Sequence, residues 1–494
     1  MTGADCIVIG AGTAGCVAAA RLIRRGARVR LLEAGPDDAV RLGALTGPGP
    51  GILQFDWGHI AQVGGRTLPL LCGKAVGGTS LFHAGVALRS FRNDYDAWAQ
   101  VVGTDWSFDA VLSTFRDIEN DVDFVRPWHG QSGPVRIERC APGLNQPIHT
   151  AFLEACGECG HSACEDLNAP HAEGASYTPL SRDGLRRLSV RTAFLESVRG
   201  DAALSIEPHT TVNRLIVDSG RVTGVAVVDQ AGEERIIASD RVILCAGAVG
   251  SPALLLRSGI GDPEDLPRPT HPISGVGRRV RDHALIWIEF ELGAHHGRLG
   301  LPPFQVMLRT CSPPLGDSQF EIFHDFRFGD VPRGMRRGAL SCALMSLEGE
   351  GRVRLEVDGR PRIMLAFDHP HNVARLARLA AAGTRLLASR AFRTFNLRNI
   401  GLRGERSVWR EPSRIATGDD LARVAQCLGT AYHLHGGCSM SRPGDPLGVV
   451  DSRGAVFGLE GIVVADASVI PVPLRANTHL PTVMIADRIA AWLQ

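Results

Sequence analysis

The first thirty residues alternate between short apolar runs and segments rich in glycine or alanine. An apolar run at Cys6–Ile9 is followed by a glycine segment from Gly10 to Gly15, an alanine-rich segment to Arg25 and a second apolar run at Ala27–Leu32. Short apolar runs bounded by glycine predict buried strands, whereas the alanine-rich segment predicts a helix. The chain therefore opens with a predicted strand, helix and strand.

Further apolar runs extend this pattern, after a stretch dominated by glycine and proline from Leu42 to Pro50 that predicts a long ordered loop. The next regular element is an acidic helix near Asp94–Trp98, and a second helical piece is predicted at Arg191–Leu195. Strands are predicted at Leu204–Ile206, Val212–Val217, Gly224–Val228 and Arg241–Cys245.

Between about Ile286 and Phe367 apolar and polar residues alternate, which predicts an antiparallel sheet with one buried face. Its predicted strands are Ile286–Leu292, Phe304–Leu308, Phe320–Phe323, Ala339–Leu347 and Val353–Val357. The remaining predicted elements are a helix at His371–Ser389, a strand at Ile462–Ala465 and a helix at Thr482–Leu493. The chain thus begins and ends with α/β elements that flank an antiparallel region.

Length and charge narrow the class of protein. A chain of 494 residues exceeds one ordinary hydrophobic core, so we expect two closely joined domains. The 53 basic and 52 acidic residues give a net charge of +1, so neither nucleic acid nor an anionic membrane is an expected partner. Neither a signal-peptide pattern nor an apolar run of membrane-spanning length is present, and we expect a cytoplasmic protein without a membrane span.

Three of the twelve cysteines and one of the seventeen histidines lie close together in the sequence, namely Cys156, Cys159, His161 and Cys164. These residues are capable of binding zinc, but their spacing is too compact for the usual site with ligands on two loops. The favoured alternative is a helix that ends at Gly160 and carries half-buried, reduced cysteines. We therefore expect no metal site.

Gly10, Gly12 and Gly15 form a G-x-G-x-x-G pattern between the first strand and helix, and Glu33 ends the next strand. In such a motif Gly10 permits a tight turn, Gly12 lets the backbone approach a pyrophosphate, and Gly15 allows close packing of helix and strand. Glu33 is placed to accept hydrogen bonds from an adenosine ribose. This motif predicts a dinucleotide site but is compatible with both FAD and NAD.

A second glycine motif, Gly73-Lys-Ala-Val-Gly77-Gly78-Thr79-Ser80, is followed by Asp94-Tyr-Asp-Ala-Trp98. Together these segments resemble the glucose-methanol-choline (GMC) oxidoreductase family, which binds FAD. The likeness recurs in the same order at His129–Val135, Gly184–Ser189, Val242–Pro252, Ser258–Gly261, Gly275–Gly277, Asp282–His283 and Val464–Ser468. Several long motifs in register are much more specific than a lone glycine pattern.

The resemblance implies an α/β FAD-binding Rossmann-like domain combined with an antiparallel-sheet substrate domain. Residues 1–145, 186–282 and 425–494 would form the FAD-binding domain, and residues 146–185 and 283–424 the substrate-binding domain. The implied cofactor contacts come from the first and second glycine motifs, one central strand and the end of the chain. Beyond Gly10, Gly12, Gly15 and Glu33 they are Thr13, Ala14, Gly77, Gly78, Thr79, His83, Val212, Asp466, Ala467, Pro481 and Thr482.

His83 departs from the family pattern, which usually has asparagine at this place. Members with a covalent histidyl–flavin bond carry the histidine one residue earlier, where this chain has Phe82. We therefore expect a non-covalent flavin with His83 beside its isoalloxazine ring.

The resemblance also implies a catalytic pair, His433 in Tyr432-His433-Leu-His435-Gly436 and His479 in Asn477-Thr-His479-Leu-Pro481. An imidazole titrates near neutral pH, so one histidine can accept the hydroxyl proton of an alcohol while the other holds the developing alkoxide. Hydride would then pass to flavin N5. His435 lies two residues from His433, and we interpret it as a supporting residue rather than the base.

These features predict FAD-dependent oxidation of a small-molecule alcohol to an aldehyde or ketone. Alternatives within the family are a lyase that cleaves cyanohydrins and a fatty-acid photodecarboxylase, and a non-catalytic flavoprotein is a further one. The sequence leaves open the alcohol and the electron acceptor, which can be oxygen, a quinone or a redox protein.

Overall fold

The computed structural model describes most of the chain, and the account below is confined to those residues. They are 5–38, 50–125, 127–140, 145–292, 302, 304–323, 336–403 and 418–493. The loop predicted from Leu42 to Pro50 lies almost entirely outside the described residues.

Five parallel strands form the sheet that carries both ends of the chain. In spatial order they are Leu204–Glu207, Val29–Leu32, Cys6–Ile9, Val242–Leu244 and Ile462–Val464. The three central strands consist largely of buried valine, isoleucine and leucine, as expected for a sheet covered on both faces. Because all strands run in one direction, the residues that follow them meet at one edge, the place where α/β sheets bind ligands.

Helices cover the parallel sheet. The first helix, Thr13–Arg24, packs against the last helix, His479–Trp492. Three further helices surround this layer, namely Arg92–Val102, Phe108–Ile118 and Gly247–Arg257. The antiparallel region contributes the helices Pro147–Glu158, Pro370–Leu387 and Gly418–Gln426.

The second large sheet is antiparallel and lies in the middle of the chain. Its strands in spatial order are Arg398–Leu402, Ala284–Leu292, Arg336–Leu344, Ser318–Phe323, Val306–Thr310 and Gly174–Tyr177, and Gly429–Thr430 pairs with Ala284–Leu292. One face packs on the helix Pro370–Leu387 through side chains such as Ile286, Ile288 and Leu340. The alternating residues therefore point to the opposite face.

Smaller sheets complete the described structure. One consists of Thr211–Asp218, Arg221–Val228 and Glu234–Ala238, and another of Arg352–Leu355, Pro361–Met364, His59–Val63 and Arg66–Leu70. The others are Glu119–Asp121, Val135–Glu138, Leu180–Asp183 and Arg186–Arg187, and the pair Ile260–Gly261 with His271–Pro272.

The predicted elements are present, with shifted ends and some omissions. The prediction missed the hairpin His59–Val63 and Arg66–Leu70, because Pro69 in its edge strand and the flanking glycines obscure the alternation. Arg191–Leu195 forms a single π-helical turn rather than the start of a longer helix. The last helix begins at His479 instead of Thr482, which places His479 in its first turn. The proposed domain boundaries remain a prediction.

The cysteine cluster lies where a helix ends, as the favoured alternative expected. The helix Pro147–Glu158 stops at Cys159, and Gly160 adopts a left-handed φ of +85°. Cys156 is buried, Cys159 is exposed, and all twelve cysteines are free thiols. Within the described ranges no group of three or more histidine, cysteine or acidic side chains is arranged to hold a metal ion. None of the helices in those ranges is long and apolar enough to span a membrane.

Gly15 provides a test of the close packing between the first helix and first strand. A Cβ atom at this position would lie 1.8 Å from the carbonyl oxygen of Gly10. We expect Gly15→Val to lower the free energy of unfolding of the cofactor-free protein by about 1–3 kcal/mol, because the valine side chain would push the first helix away from the Gly10 carbonyl. Gly157→Ala is the control, since a Cβ there meets no described atom within 4 Å. Thermal midpoints of both variants test the prediction, and an unchanged midpoint for Gly15→Val would contradict it.

Candidate active site

A cavity of about 1000 Å³ lies between the ligand-binding edge of the parallel sheet and the face of the antiparallel sheet that points away from the helix Pro370–Leu387. Its wall includes the first glycine loop, the second glycine motif, the C-terminal loops and the antiparallel strands. The site therefore draws on the beginning, middle and end of the chain.

The two glycine loops touch each other through their backbones. The Gly77 N–H donates to the Ala11 carbonyl at 2.7 Å, and a Cβ on Gly78 would come within 2.6 Å of Gly12 Cα. Gly78 also has a left-handed φ of +53°. Only glycine permits this approach, so the second loop is held directly against the first.

The first helix directs its N-terminus at the cavity. Gly12 precedes the helix without a side-chain cap, and Thr13 and Ala14 lie on the cavity wall. A Cβ at Gly12 would have only Gly78 Cα within reach, at 4.0 Å, and would occupy space beside the helix terminus. Unpaired backbone amides at the positive end of a helix suit a phosphate group.

Two buried carboxylates brace the loops that line the cavity. Glu33 accepts hydrogen bonds from the Ala11 N–H at 2.8 Å and the Gly35 N–H at 2.9 Å. Asp466 accepts from the Gly247 N–H at 2.7 Å and the Ser251 hydroxyl at 2.6 Å. Burial raises the pKa of both carboxyl groups. Both Glu33 oxygens keep a further lone pair, as does Asp466 Oδ1, which accepts the Ser468 N–H at 2.8 Å, so both residues can still accept a ligand hydroxyl.

Most of the predicted cofactor residues lie on this wall. They are Gly10, Gly12, Thr13, Ala14, Glu33, Gly78, Thr79, His83, Val212, Asp466, Ala467 and Thr482. Gly15, Gly77 and Pro481 lie behind it. Gly15 faces the Gly10 carbonyl, Gly77 faces the Leu81 side chain, and Pro481 is buried in the first turn of the last helix. Gly15 and Gly77 let the wall pack closely, and the cofactor contacts predicted for these three residues stay a prediction.

His433 lies on the cavity wall in a polar cluster of four residues. Its backbone N–H donates to Asp282 Oδ1 at 2.8 Å, and its Nδ1 is 2.9 Å from His283 Nδ1. Its Nε2 is 3.1 Å from the Asn477 side-chain nitrogen. Both ring nitrogens are therefore held, and the ring has a fixed orientation.

The hydrogen-bond partners determine where the His433 proton lies. Asn477 Oδ1 accepts from Gln319 Nε2 at 3.1 Å, which turns the Asn477 amide N–H toward His433. His433 Nε2 must then be the acceptor, and its proton must be on Nδ1, donated to His283. The lone pair that can take a proton is thus on Nε2, the nitrogen nearest Asn477.

Burial keeps the imidazoles of His433 and His479 neutral. Removal from water, together with the charge of His435, lowers the pKa of His433 to about 3. Burial followed by the charge of Arg187 lowers the pKa of His479 to about 4. A neutral imidazole is the form that can accept a proton.

His479 and His83 lie side by side on the wall, with ring centroids 4.2 Å apart. His83 Nδ1 accepts the Gly85 N–H at 2.7 Å, so its proton lies on Nε2. This buried Nε2 has no hydrogen-bond partner among the described residues. A ligand acceptor is therefore needed at this point, as expected if a cofactor ring lies there.

His435, the other candidate for the base, lies off the cavity wall. It is almost completely buried, and its Nδ1 donates to the His433 carbonyl at 2.9 Å. This position agrees with a supporting role.

Three polar residues of the site were not predicted as functional from the sequence, namely Asp282, His283 and Asn477. Asp282 and His283 precede the strand Ala284–Leu292 and meet His433 only through the fold. Asn477 carried a local signal, since it lies two residues before His479 in the same short motif.

Two family models of GMC oxidoreductases match the chain. The N-terminal model matches residues 4–285 and the C-terminal model residues 348–486. Together they cover most of the chain in the expected order.

Curated relatives match over nearly the whole length. An oxygen-dependent choline dehydrogenase of Chromohalobacter salexigens is 29% identical over 98% of this chain and 94% of its own. The mitochondrial choline dehydrogenase of Homo sapiens is 29% identical over 98% of this chain and 88% of its own. A GMC-type oxidoreductase of Rhodococcus erythropolis is 30% identical over 99% of this chain and 98% of its own.

Solved structures share the fold. Pyridoxine 4-oxidase from Mesorbium loti is 26% identical with a TM-score of 0.84, covering 99% of this chain and 98% of that one. A formate oxidase from Aspergillus oryzae is 20% identical with a TM-score of 0.86, covering 99% and 97%. These matches confirm the predicted fold and the predicted cofactor, FAD.

Gly12 tests the predicted pyrophosphate contact separately from folding. We expect Gly12→Val to raise the Kd for FAD by about tenfold, a loss of about 1.4 kcal/mol, because its side chain fills the space beside the helix terminus. The thermal midpoint of the cofactor-free protein should stay unchanged, unlike that of Gly15→Val. Titration of the cofactor-free protein with FAD, followed by flavin absorbance per protein chain, measures the Kd. An unchanged Kd in Gly12→Val would contradict the predicted contact.

Proposed function

Since the chain belongs to the GMC oxidoreductase family of FAD-dependent enzymes that oxidise alcohols, we propose that His433 and His479 form its acid–base pair. His433 accepts the hydroxyl proton of the alcohol, and His479 holds the same oxygen as alkoxide character develops. The product is an aldehyde or ketone. FAD, when bound, supplies the hydride acceptor at flavin N5.

The tautomer of His433 is the observation that carries this proposal. Its unprotonated Nε2 is on the cavity wall, and Nδ1–H is engaged by His283. When the proton arrives, the imidazolium keeps its Nδ1–H bond to His283, so the ring need not turn. Asn477 orients the ring before substrate binds. The single lone pair of Nε2 accepts one hydrogen bond, so the substrate hydroxyl takes the place of the Asn477 N–H when it binds.

His479 supports the pair from the first turn of the last helix. Helix geometry fixes its backbone, and His83 packs against its ring. The residues around the pair therefore favour one arrangement of the two imidazoles.

Anaerobic mixing with alcohols tests the proposed reaction. Oxidation of an alcohol transfers a hydride and bleaches the visible absorbance of oxidised FAD. We expect bleaching with at least one member of a panel of sugar, aromatic, aliphatic and amino alcohols. Cyanohydrin cleavage without bleaching would favour the lyase alternative, and strictly light-dependent loss of carbon dioxide from a fatty acid would favour the photodecarboxylase. Reoxidation by oxygen, quinones or a dye then identifies the electron acceptor.

His433→Gln tests the base. We expect the rate of flavin reduction to fall by about 10²–10⁴-fold, because the proton acceptor is lost, while FAD content stays unchanged. His371→Gln is the control, since His371 is exposed on the helix Pro370–Leu387. Equal rates for wild type and His433→Gln would contradict the assignment.

The pH dependence tests the neutrality of the pair. Because burial lowers the pKa of His433 to about 3 and of His479 to about 4, both stay unprotonated until the pH falls through those values. For a neutral alcohol, kcat/KM of flavin reduction should show no fall near pH 6.5, where an ordinary histidine titrates.

Asp282 is the charged neighbour of His433 that requires a control here, because burial raises its pKa to about 6. Protonation leaves Asp282 Oδ1 able to accept from the His433 N–H, so we expect Asp282→Asn to keep the same profile. Glu321 is a second acid that titrates in this range, because burial raises its pKa to about 7, and hydrogen bonds through Gln319 and Asn477 link it to His433. A fall in kcat/KM near pH 6.5 that persists both in Asp282→Asn and in Glu321→Gln would contradict a buried neutral base.

A further inference from the structure

A strand and a helix continue the cavity wall beside Glu33. The Thr210 N–H donates to the Glu33 carbonyl at 2.8 Å, so the strand Thr211–Asp218 begins next to the residue that is predicted to hold the ribose. The helix Gly247–Arg257 packs against that strand. With the ribose at Glu33, the purine base that is joined to it faces this strand and helix.

Asn213 interrupts the regular pairing of this strand. The register with the neighbouring strand Arg221–Val228 shifts between Val212 and Arg214, so Asn213 has no residue opposite it. A bulge of this kind re-aims a side chain, and Asn213 lines the cavity. Its amide forms no hydrogen bond with any residue that the structure describes. The amide N–H groups and the amide carbonyl are therefore available to a ligand.

Arg257 reaches the same part of the wall from the end of the helix Gly247–Arg257, and it also lines the cavity. The next residue, Ser258, accepts the Leu215 N–H at 2.8 Å with its side-chain oxygen. This hydrogen bond ties the helix end to the strand two residues beyond Asn213. A guanidinium and an amide thus share one region of the wall.

The charge of Arg257 is not neutralised within the described ranges, where its guanidinium forms no ion pair and its buried Nε has no hydrogen-bond partner. Burial lowers the pKa of this half-buried arginine. Such a cation is stabilised by an aromatic face or a hydrogen-bond acceptor that arrives with a ligand. Gly250 lines the cavity two turns earlier on the same helix face, and its missing side chain leaves room for a flat ring.

We propose that Asn213 and Arg257 recognise the adenine base of FAD and select it against other purines. Adenine carries a 6-amino donor beside ring-nitrogen acceptors, and the Asn213 amide matches this pair with its own acceptor and donor. The planar Arg257 guanidinium stacks on the π face of the ring. Both residues lie outside the sequence motifs that carry the family resemblance.

Two dinucleotides that differ at one position of the base test Asn213. The cofactor-free protein is titrated with FAD and with flavin hypoxanthine dinucleotide, in which an oxo group replaces the 6-amino group, and calorimetry gives each Kd. We expect the wild type to bind FAD about tenfold or more tightly than the hypoxanthine analogue. Asn213→Ala should lose most of this preference, because its binding of FAD weakens while its binding of the analogue changes little.

Arg257→Met tests the stacking contact, since methionine keeps an extended side chain but removes the planar cation. We expect the Kd values of both dinucleotides to rise by a similar factor, about tenfold, because both bases present a π face. Arg214→Met is the matched control, because Arg214 pairs with Glu234 on the surface and does not line the cavity. This control should keep both wild-type Kd values, and the thermal midpoints of all cofactor-free variants should equal that of the wild type.

The outcomes separate recognition of the base from a structural role. Equal Kd values of the two dinucleotides in the wild type would overturn the inference, as would a preference for FAD that persists in Asn213→Ala. A similar loss for both dinucleotides in Asn213→Ala also overturns it, since Asn213 would then support the strand rather than recognise the amino group. Unchanged Kd values in Arg257→Met overturn the role of Arg257. No alcohol is present in these titrations, so they do not depend on the proposed acid–base pair.

Discussion

The buried carboxylate of Asp282 is the interaction on which the proposed site depends. Asp282 Oδ1 accepts the backbone N–H groups of His283 and His433, while Oδ2 accepts the Thr430 hydroxyl. His283 leads into the antiparallel sheet, whereas His433 belongs to the C-terminal segment that returns to the parallel sheet. One desolvated side chain therefore joins the segment that enters the antiparallel sheet to the segment that returns to the parallel sheet. Without it, His433 would lose the backbone contact that fixes its position.

Desolvation then determines the chemistry of the residues that Asp282 holds. A charged imidazole is costly in a buried site, so His433 and His479 are held neutral and able to take a proton. The same desolvation leaves Glu321 as an uncompensated acid group at the opposite end of a hydrogen-bonded chain. If Glu321 is ionised, it accepts from Gln319 and thereby orients Gln319, Asn477 and finally His433.

Features that depend on residues close together in the sequence could be predicted from the sequence alone. The β-α-β start, the alternation of the antiparallel strands and the helix end near Gly160 follow from short-range patterns, and the family motifs led to FAD. Residues such as Asp282 were not predicted as functional, because their contact with His433 joins positions about 150 residues apart. Glu321 was missed for a related reason. Alternation shows which residues share a face, but only tertiary packing shows that this face lines a cavity.

The proposed chemistry depends most on the protonation state of His433. The direct test is ¹⁵N NMR of the holoenzyme labelled with ¹⁵N in its histidine rings. The His433→Gln variant assigns the resonances of His433. We predict a neutral ring at pH 6 with its proton on Nδ1 and an unprotonated Nε2. An imidazolium at pH 6, or a neutral ring with the proton on Nε2, would contradict it.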